Sequence, residues 1–216
     1  TNLPQLRHVC AGPVTEYTTA SLADVPATGP RIDVLRAGTM TTVQDHPGRI
    51  GLWEVGIPPS GPMDDLSLRL ANTAVGNPVG APGLECTLQG PRLVFSVPAT
   101  VCITGADVPV TVDGLEVPMW EPVTIAAGAT LDIGSPTDTG LRTYLAVRGG
   151  LDAPLFHGSA STFTLGGFGG ITGKAVATGD VLGLLDATDG HTDPAPVPPD
   201  SRPAFTHTWH LAVTEG

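Results

Sequence analysis

The chain has 216 residues, of which 41% are hydrophobic and only 14% charged, with 28 glycines and 22 prolines. That is enough apolar material to bury a core and far too many backbone breakers for an all-helical bundle. Ten basic against 21 acidic residues leave a net charge of −11, so the chain lacks the basic footprint with which a nucleic-acid binder displaces phosphate counterions.

Residues 1–30 show no sustained period and read as an extended arm or linker. A strand opens at Ile32, Val34 and Leu35, and a second short one covers residues 41–44. A loop punctuated by Pro and Gly follows, from His46 to Pro59. One short helix is expected near residues 62–75. Ser60 or Gly61 would cap it, Pro62 fits its first turn, and Asp64 and Asp65 sit where the helix dipole favours acids. Met63, Leu66 and Leu70 would form its apolar stripe, and Gly76–Asn77–Pro78 would stop it.

Short apolar runs then alternate with turns, at residues 84–88, 92–95, 100–104, 108–112, 123–126, 130–133 and 142–147. Asp113–Gly114 is a two-residue hairpin signal and Ala127–Gly128 a further turn. A glycine-rich stretch spans residues 158–173, and another strand is expected over 181–185. Residues 188–203 are rich in Pro and Asp and read as a linker, and 204–216 read as the start of a further barrel segment with a strand from Trp209 to Val213. Strands at this spacing imply a closed barrel or a sandwich, so the fold class is mainly β.

Three cysteines, Cys10, Cys86 and Cys102, are far apart and form no CxxC pair, so reduced thiols are expected and no metal site. Neither a signal-peptide pattern nor an apolar run of membrane-spanning length is read in the sequence, so a cytoplasmic location with no membrane partner is expected.

Two regions carry candidate chemistry. Gln44–Asp45–His46–Pro47–Gly48–Arg49 puts a carboxylate, an imidazole and a guanidinium on one loop, where Asp45 and Arg49 either pair with each other or serve a site. Gly166–Gly167–Phe168–Gly169–Gly170 reads either as tight turns or as backbone N–H groups for an anion, with Ser159, Ser161 and Thr162 just upstream. Arg148 precedes Gly149–Gly150 at a strand end and suits either carboxylate recognition or a surface turn. No G-x-S-x-G or H-E-x-x-H motif is present, which argues against a hydrolytic triad or a zinc hydrolase.

Taken in order, longer motifs carry a resemblance. They run from Thr41–Thr42–Val43–Gln44–Asp45–His46–Pro47–Gly48–Arg49 through Trp53 and Gly56 to Pro58–Pro59–Ser60–Gly61–Pro62–Met63–Asp64. Leu70–Ala71–Asn72, Gly83–Leu84–Glu85, Gly90–Pro91, Thr104–Gly105–Ala106, Tyr144–Leu145–Ala146–Val147–Arg148–Gly149–Gly150 and Gly179–Asp180 continue the series. Over residues 31–185 the chain resembles the carboxyltransferase subdomain of urea carboxylase (urea amidolyase). The related stand-alone proteins are labelled allophanate hydrolase subunit 2, or KipA-like, and the chain is also similar to the C subunit of ATP-dependent 5-oxoprolinase. Lys174 and Ala160 depart from the usual pattern and lower the cation density of the glycine loop.

The resemblance implies a cyclophilin-like β-barrel over residues 31–187 and an enzyme that works as one subunit of a complex. Its partners would be a KipI-like subunit and a biotin carrier. The reaction would move a carboxyl group from carboxybiotin to urea or a similar amide, with ATP used at the level of the complex. Asp45 or Asp107 would be the base, and Arg49 and Arg148 would hold the carboxylate. Ser60, Asp64, Ser159, Ser161 and Gly167 would complete the binding site. Ring opening of 5-oxoproline, and non-catalytic binding of a KipI-like regulator, are the alternative functions.

Overall fold

A computed structural model describes residues 29–188, 190–208 and 210–214. Cys10, Trp209 and nearly all of the expected N-terminal arm lie outside the described residues. Among the described residues, twelve strands and one α-helix form in the order β1 (Arg31–Arg36), β2 (Met40–Gln44), α1 (Asp65–Ala74), β3 (Gly83–Thr87), β4 (Arg92–Phe95), β5 (Ala99–Gly105), β6 (Val110–Val112), β7 (Leu115–Glu116), β8 (Val123–Ile125), β9 (Thr130–Ile133), β10 (Arg142–Val147), β11 (Leu151–Asp152) and β12 (Val181–Leu184).

The described residues are mainly β with one α-helix. Its strands lie in two antiparallel sheets rather than one closed barrel: a seven-stranded sheet ordered β11-β12-β1-β4-β9-β6-β7 and a five-stranded sheet ordered β2-β3-β10-β5-β8. Asp113–Gly114 makes the expected hairpin between β6 and β7, with both residues at positive φ as a type I′ turn requires.

The core fills the space between the sheets. Ile32, Val34, Leu93, Phe95, Leu131 and Ile133 come from the larger sheet, and Val43, Leu84, Val101, Ile103, Leu145 and Val147 from the smaller. The alternate residues of the smaller sheet face outward, where α1 covers them. Cys102 and Ala146 pack there against Ala71, Ala74 and Val75. With both faces covered, β10 is buried almost throughout instead of alternating.

The helix departs from expectation in two respects. It starts at Asp65, and its cap is Asp64, whose carboxylate accepts the Ser67 N–H (3.0 Å) and O–H (2.5 Å). Its buried face is Ser67, Leu68, Ala71, Asn72 and Ala74, while Met63 is 70% exposed and Leu66 also faces solvent. The chain before Asp64 stays out of the helix because β3 and β10 hold it there.

Residues 192–197 lie across the helix and the outward face of the smaller sheet. Thr192, Ala195 and Val197 donate their N–H groups to the carbonyls of Gly76, Ala74 and Trp120, and Val197 is buried. Residues 210–214 carry no strand and leave Leu211 and Val213 exposed.

Candidate active site

Asp45 and Arg49 follow β2 on one loop and grip the same distant segment, residues 156–161, from two sides. Asp45, 7% exposed, takes the donors. Its Oδ1 accepts the hydroxyls of Ser159 and Ser161, each at 2.6 Å, and the Ser161 N–H at 3.1 Å. Its Oδ2 accepts the Ala160 N–H at 2.8 Å. In return the Asp45 N–H donates to Ser161 Oγ at 3.0 Å.

Arg49, 1% exposed, takes the acceptors. Its Nε donates to the Phe156 carbonyl (2.8 Å), Nη1 to the Ser161 carbonyl (3.0 Å) and to Ser60 Oγ (2.8 Å), and Nη2 to the Ser159 carbonyl (2.9 Å). The guanidinium carbon lies 5.0 Å from the centre of the Phe168 ring and 5.3 Å from that of Phe156, and these two rings stack on each other. Such a planar, delocalised cation suits burial against aromatic rings better than an ammonium would.

Two glycines make this packing feasible. Gly169 has φ +74°, and a Cβ there would collide with the Ser161 carbonyl oxygen and crowd Arg49 Nη2. Gly48 has φ +80° and a Cβ there would strike the Ser60 carbonyl. Backbone bonds in both directions between Arg49 and Ser60 (2.6 and 3.0 Å) then fix the loop against residues 60–61.

Five of the residues selected from the sequence thus meet: Asp45, Arg49, Ser60, Ser159 and Ser161. Gly167 lies in the adjoining turn, and its N–H donates to the Phe163 carbonyl (2.9 Å). The N–H groups of Gly166 and Gly173 likewise close tight turns on the carbonyls of Phe163 and Gly169, and that of Gly170 reaches back to the Ala160 carbonyl, so these groups are engaged within the glycine-rich stretch. Asp64 caps the helix. His46, beside Asp45, places Nδ1 3.5 Å from Asp65 Oδ2.

Asp107 and Arg148 lie apart from this cluster and from each other. Val147 pairs with Val101 and Thr143 with Gly105, so Arg148 and Asp107 leave opposite ends of the β10–β5 pair. Asp107 is exposed, beside a cleft of about 290 Å³ that Glu116, Met119 and Thr137 also line. Arg148 lies at the same end of the sheet as Asp45. Its Nη1 donates to the Val75 and Thr192 carbonyls (2.8 and 2.7 Å), and it borders a cleft of about 260 Å³ with Thr100, Thr124, Leu185 and Asp186.

Sequence reasoning assigned no role to Phe156 and Phe168, nor to a row of outward-facing polar side chains across the smaller sheet. Thr42, Glu85, Tyr144 and Thr104 stand side by side in register on β2, β3, β10 and β5. Glu85 Oε2 accepts the Met63 N–H (2.7 Å) and the Tyr144 O–H (2.8 Å), and Oε1 accepts Arg142 Nε (3.1 Å). Thr104 Oγ1 donates to the Ser67 carbonyl in the helix (2.8 Å). Burial, with the charge of Glu85 next, pushes the Tyr144 phenol well above its ordinary value and keeps it a donor. The available signal was a carboxylate inside the apolar strand Gly83–Thr87, since such a group needs partners once buried.

Cys86 and Cys102 are buried free thiols, each pushed up to about 12, chiefly by burial. Among the described residues no helix is long and apolar enough to cross a membrane.

This two-sheet fold and its loop cluster belong to a defined class. The chain is a member of the carboxyltransferase domain family, subdomain A and B, whose model matches residues 55–216. It is 44% identical over 190 residues to urea amidolyase of Saccharomyces cerevisiae, a match covering 86% of this chain and 10% of that protein. It is 39% identical over 151 residues to the C subunit of 5-oxoprolinase from Escherichia coli, covering 70% of this chain and 48% of the relative. Among solved structures, the urea carboxylase of Kluyveromyces lactis superposes with a TM-score of 0.79 at 39% identity, covering 85% of this chain and 17% of that one. The chain therefore spans about a tenth of the urea amidolyase and about half of the oxoprolinase relative.

Proposed function

We propose that this chain works as the carboxyltransferase-type domain of a urea carboxylase and moves the carboxyl group of carboxybiotin to urea or a similar amide. The observation that carries this reading is the 44% identity to urea amidolyase across 86% of the chain. In the transfer the bond from the biotin nitrogen to the carboxyl carbon breaks, and its electron pair returns to the ureido group. A urea nitrogen loses a proton to a base and forms the new bond to carbon.

Asp45 and Arg49 act in this reading by positioning. Their polar atoms are directed into residues 156–161 and Ser60, so they set the shape of the surface that the substrate meets. Arg148, on the same end of the sheet and beside an open cleft, is the cation assigned to the carboxylate. Biotin arrives on a separate carrier, ATP is consumed elsewhere in the complex, and the cytoplasmic assembly includes a KipI-like partner.

The test is turnover by the full-length protein purified with its KipI-like partner, comparing urea and 5-oxoproline, each with ATP and with or without a biotinylated carrier. Carrier-dependent ADP release with urea is the expected result. Carrier-independent glutamate formation would move the protein to the oxoprolinase branch, the second reading, which the 39% identity to the Escherichia coli oxoprolinase relative favours. Binding of the partner without turnover of either compound would leave a non-catalytic role. Asp45→Asn separates base from positioning residue: loss of turnover with unchanged thermal stability identifies a base, and parallel loss of both identifies a positioning carboxylate.

A further inference from the structure

The segment at residues 61–63, exposed at Met63, is held at both ends by buried charged groups. At its start Arg49 donates to Ser60 Oγ and exchanges backbone hydrogen bonds with Ser60. At its end the arrangement depends on the absence of an N–H at Pro62, which makes the N–H groups of Met63 and Asp64 the next two donors of the chain. Glu85 Oε2 accepts the first at 2.7 Å and Tyr144 Oη the second, also at 2.7 Å. The Tyr144 O–H donates to Glu85 at 2.8 Å, so the two acceptors form one unit. Glu85 is 6% exposed and Tyr144 fully buried, whereas Met63 projects with 70% of its surface open.

Burying a carboxylate on a sheet face that a helix covers carries a desolvation penalty, and an apolar side chain there would pack without it. What such a group adds is the specification of one conformation. We propose that Glu85 is a positioning residue for the transfer reaction: through the Met63 N–H and through Tyr144 it presets residues 61–64 beside the Asp45–Arg49 loop as a rigid contact for the acyl acceptor. The inference rests on the carboxyl-transfer reading of that site.

The experiment uses the assembled full-length complex with Glu85→Gln, Glu85→Met and Tyr144→Phe. Glutamine can place its one carbonyl oxygen at the Oε2 position and keep both Met63 and Tyr144, turning its NH2 toward Arg142, a side chain with access to solvent. Methionine fills the same space and accepts nothing. The expected results are a KM for the acceptor raised at least tenfold in Glu85→Met and changed less than threefold in Glu85→Gln. Acceptor-independent, bicarbonate-dependent ADP release should stay within twofold in both. Amide exchange at Met63 and Asp64 should accelerate at least tenfold in Glu85→Met while that at Ile103 and Leu145 holds.

An acceptor KM within twofold of wild type in Glu85→Met would overturn the proposal. So would equal losses in the Gln and Met variants that track thermal stability. If Glu85→Met does not fold, Tyr144→Phe replaces it, with at least a threefold rise in acceptor KM expected and an unchanged KM overturning the idea. If the wild-type complex shows no acceptor-dependent turnover, the carboxyl-transfer reading fails by itself, and the exchange measurement still decides whether Glu85 holds the segment.

Discussion

Replacing Arg49 with Met removes the guanidinium and keeps most of the side chain's volume. Four hydrogen bonds disappear, leaving the carbonyls of Phe156, Ser159 and Ser161 and the Ser60 hydroxyl to find other donors. A buried acceptor stripped of its partner costs about 1–3 kcal/mol, and loss of the cation–π contacts with Phe156 and Phe168 adds about 1 kcal/mol. Relief of the buried charge offsets part of this, so the net loss should be about 3–5 kcal/mol, as when one member of a buried pair is removed. For a chain of this size each kcal/mol lowers Tm by about 2–4 °C, so a fall of roughly 6–20 °C is expected. Arg49→Lys keeps the charge and loses the fork, and should fall about midway. Calorimetry on the full-length protein, with limited proteolysis at residues 163–168, measures both. A Tm for Arg49→Met within about 2 °C of wild type, or Arg49→Lys indistinguishable from wild type, would refute the argument that the planar fork holds this loop.

Gly169→Ala forces a Cβ into the Ser161 carbonyl at positive φ and should cost about 2 kcal/mol or more, read as a shift in urea midpoint at unchanged m-value. Asp64→Ala removes the side-chain bonds to Ser67 at the helix start and should cost about 1 kcal/mol by the same measurement. In a Cys10→Ser background, Cys86 and Cys102 should resist thiol reagents at pH 8 in the native protein and react only on unfolding. Both thiols are raised from 9.0 to about 12, so the unfolded chain loses these protons first. Their neutral forms therefore contribute stability that is fully present below pH 9 and declines as pH rises toward 12, by up to about 1.4 kcal/mol per pH unit for each thiol. Equal unfolding free energies at pH 8.5 and 10.5 would contradict this.

Much of the fold was legible because its signals are local. The runs at residues 92–95, 130–133 and 142–147 are strands as expected, since β-branched and apolar residues between turn formers have few alternatives. Asp113–Gly114 announced its hairpin because few residue pairs accept two consecutive positive φ values. The helix was legible in kind and misplaced in detail. Ser60, Gly61 and Asp64 are all competent caps, and the choice fell to Asp64 because Glu85 and Tyr144 hold the preceding residues in a non-helical path. Met63 and Leu66 looked like core by spacing, and the face that packs is set instead by how α1 lies on β5 and β10.

Residue order alone was enough for the strand-rich composition, the main turns and the ordered motifs by which the family can be told. It also placed Asp45, Arg49, Ser60, Ser159 and Ser161 on candidate loops. That the first two grip the last two across more than a hundred residues of chain, and that Glu85 and Tyr144 belong to the same region, became visible with the packed sheets. A turn or a strand is selected by the φ and ψ preferences of adjacent residues. A buried carboxylate or guanidinium takes whichever partners the packed sheets bring within about 3 Å, and nothing in its immediate neighbours specifies them.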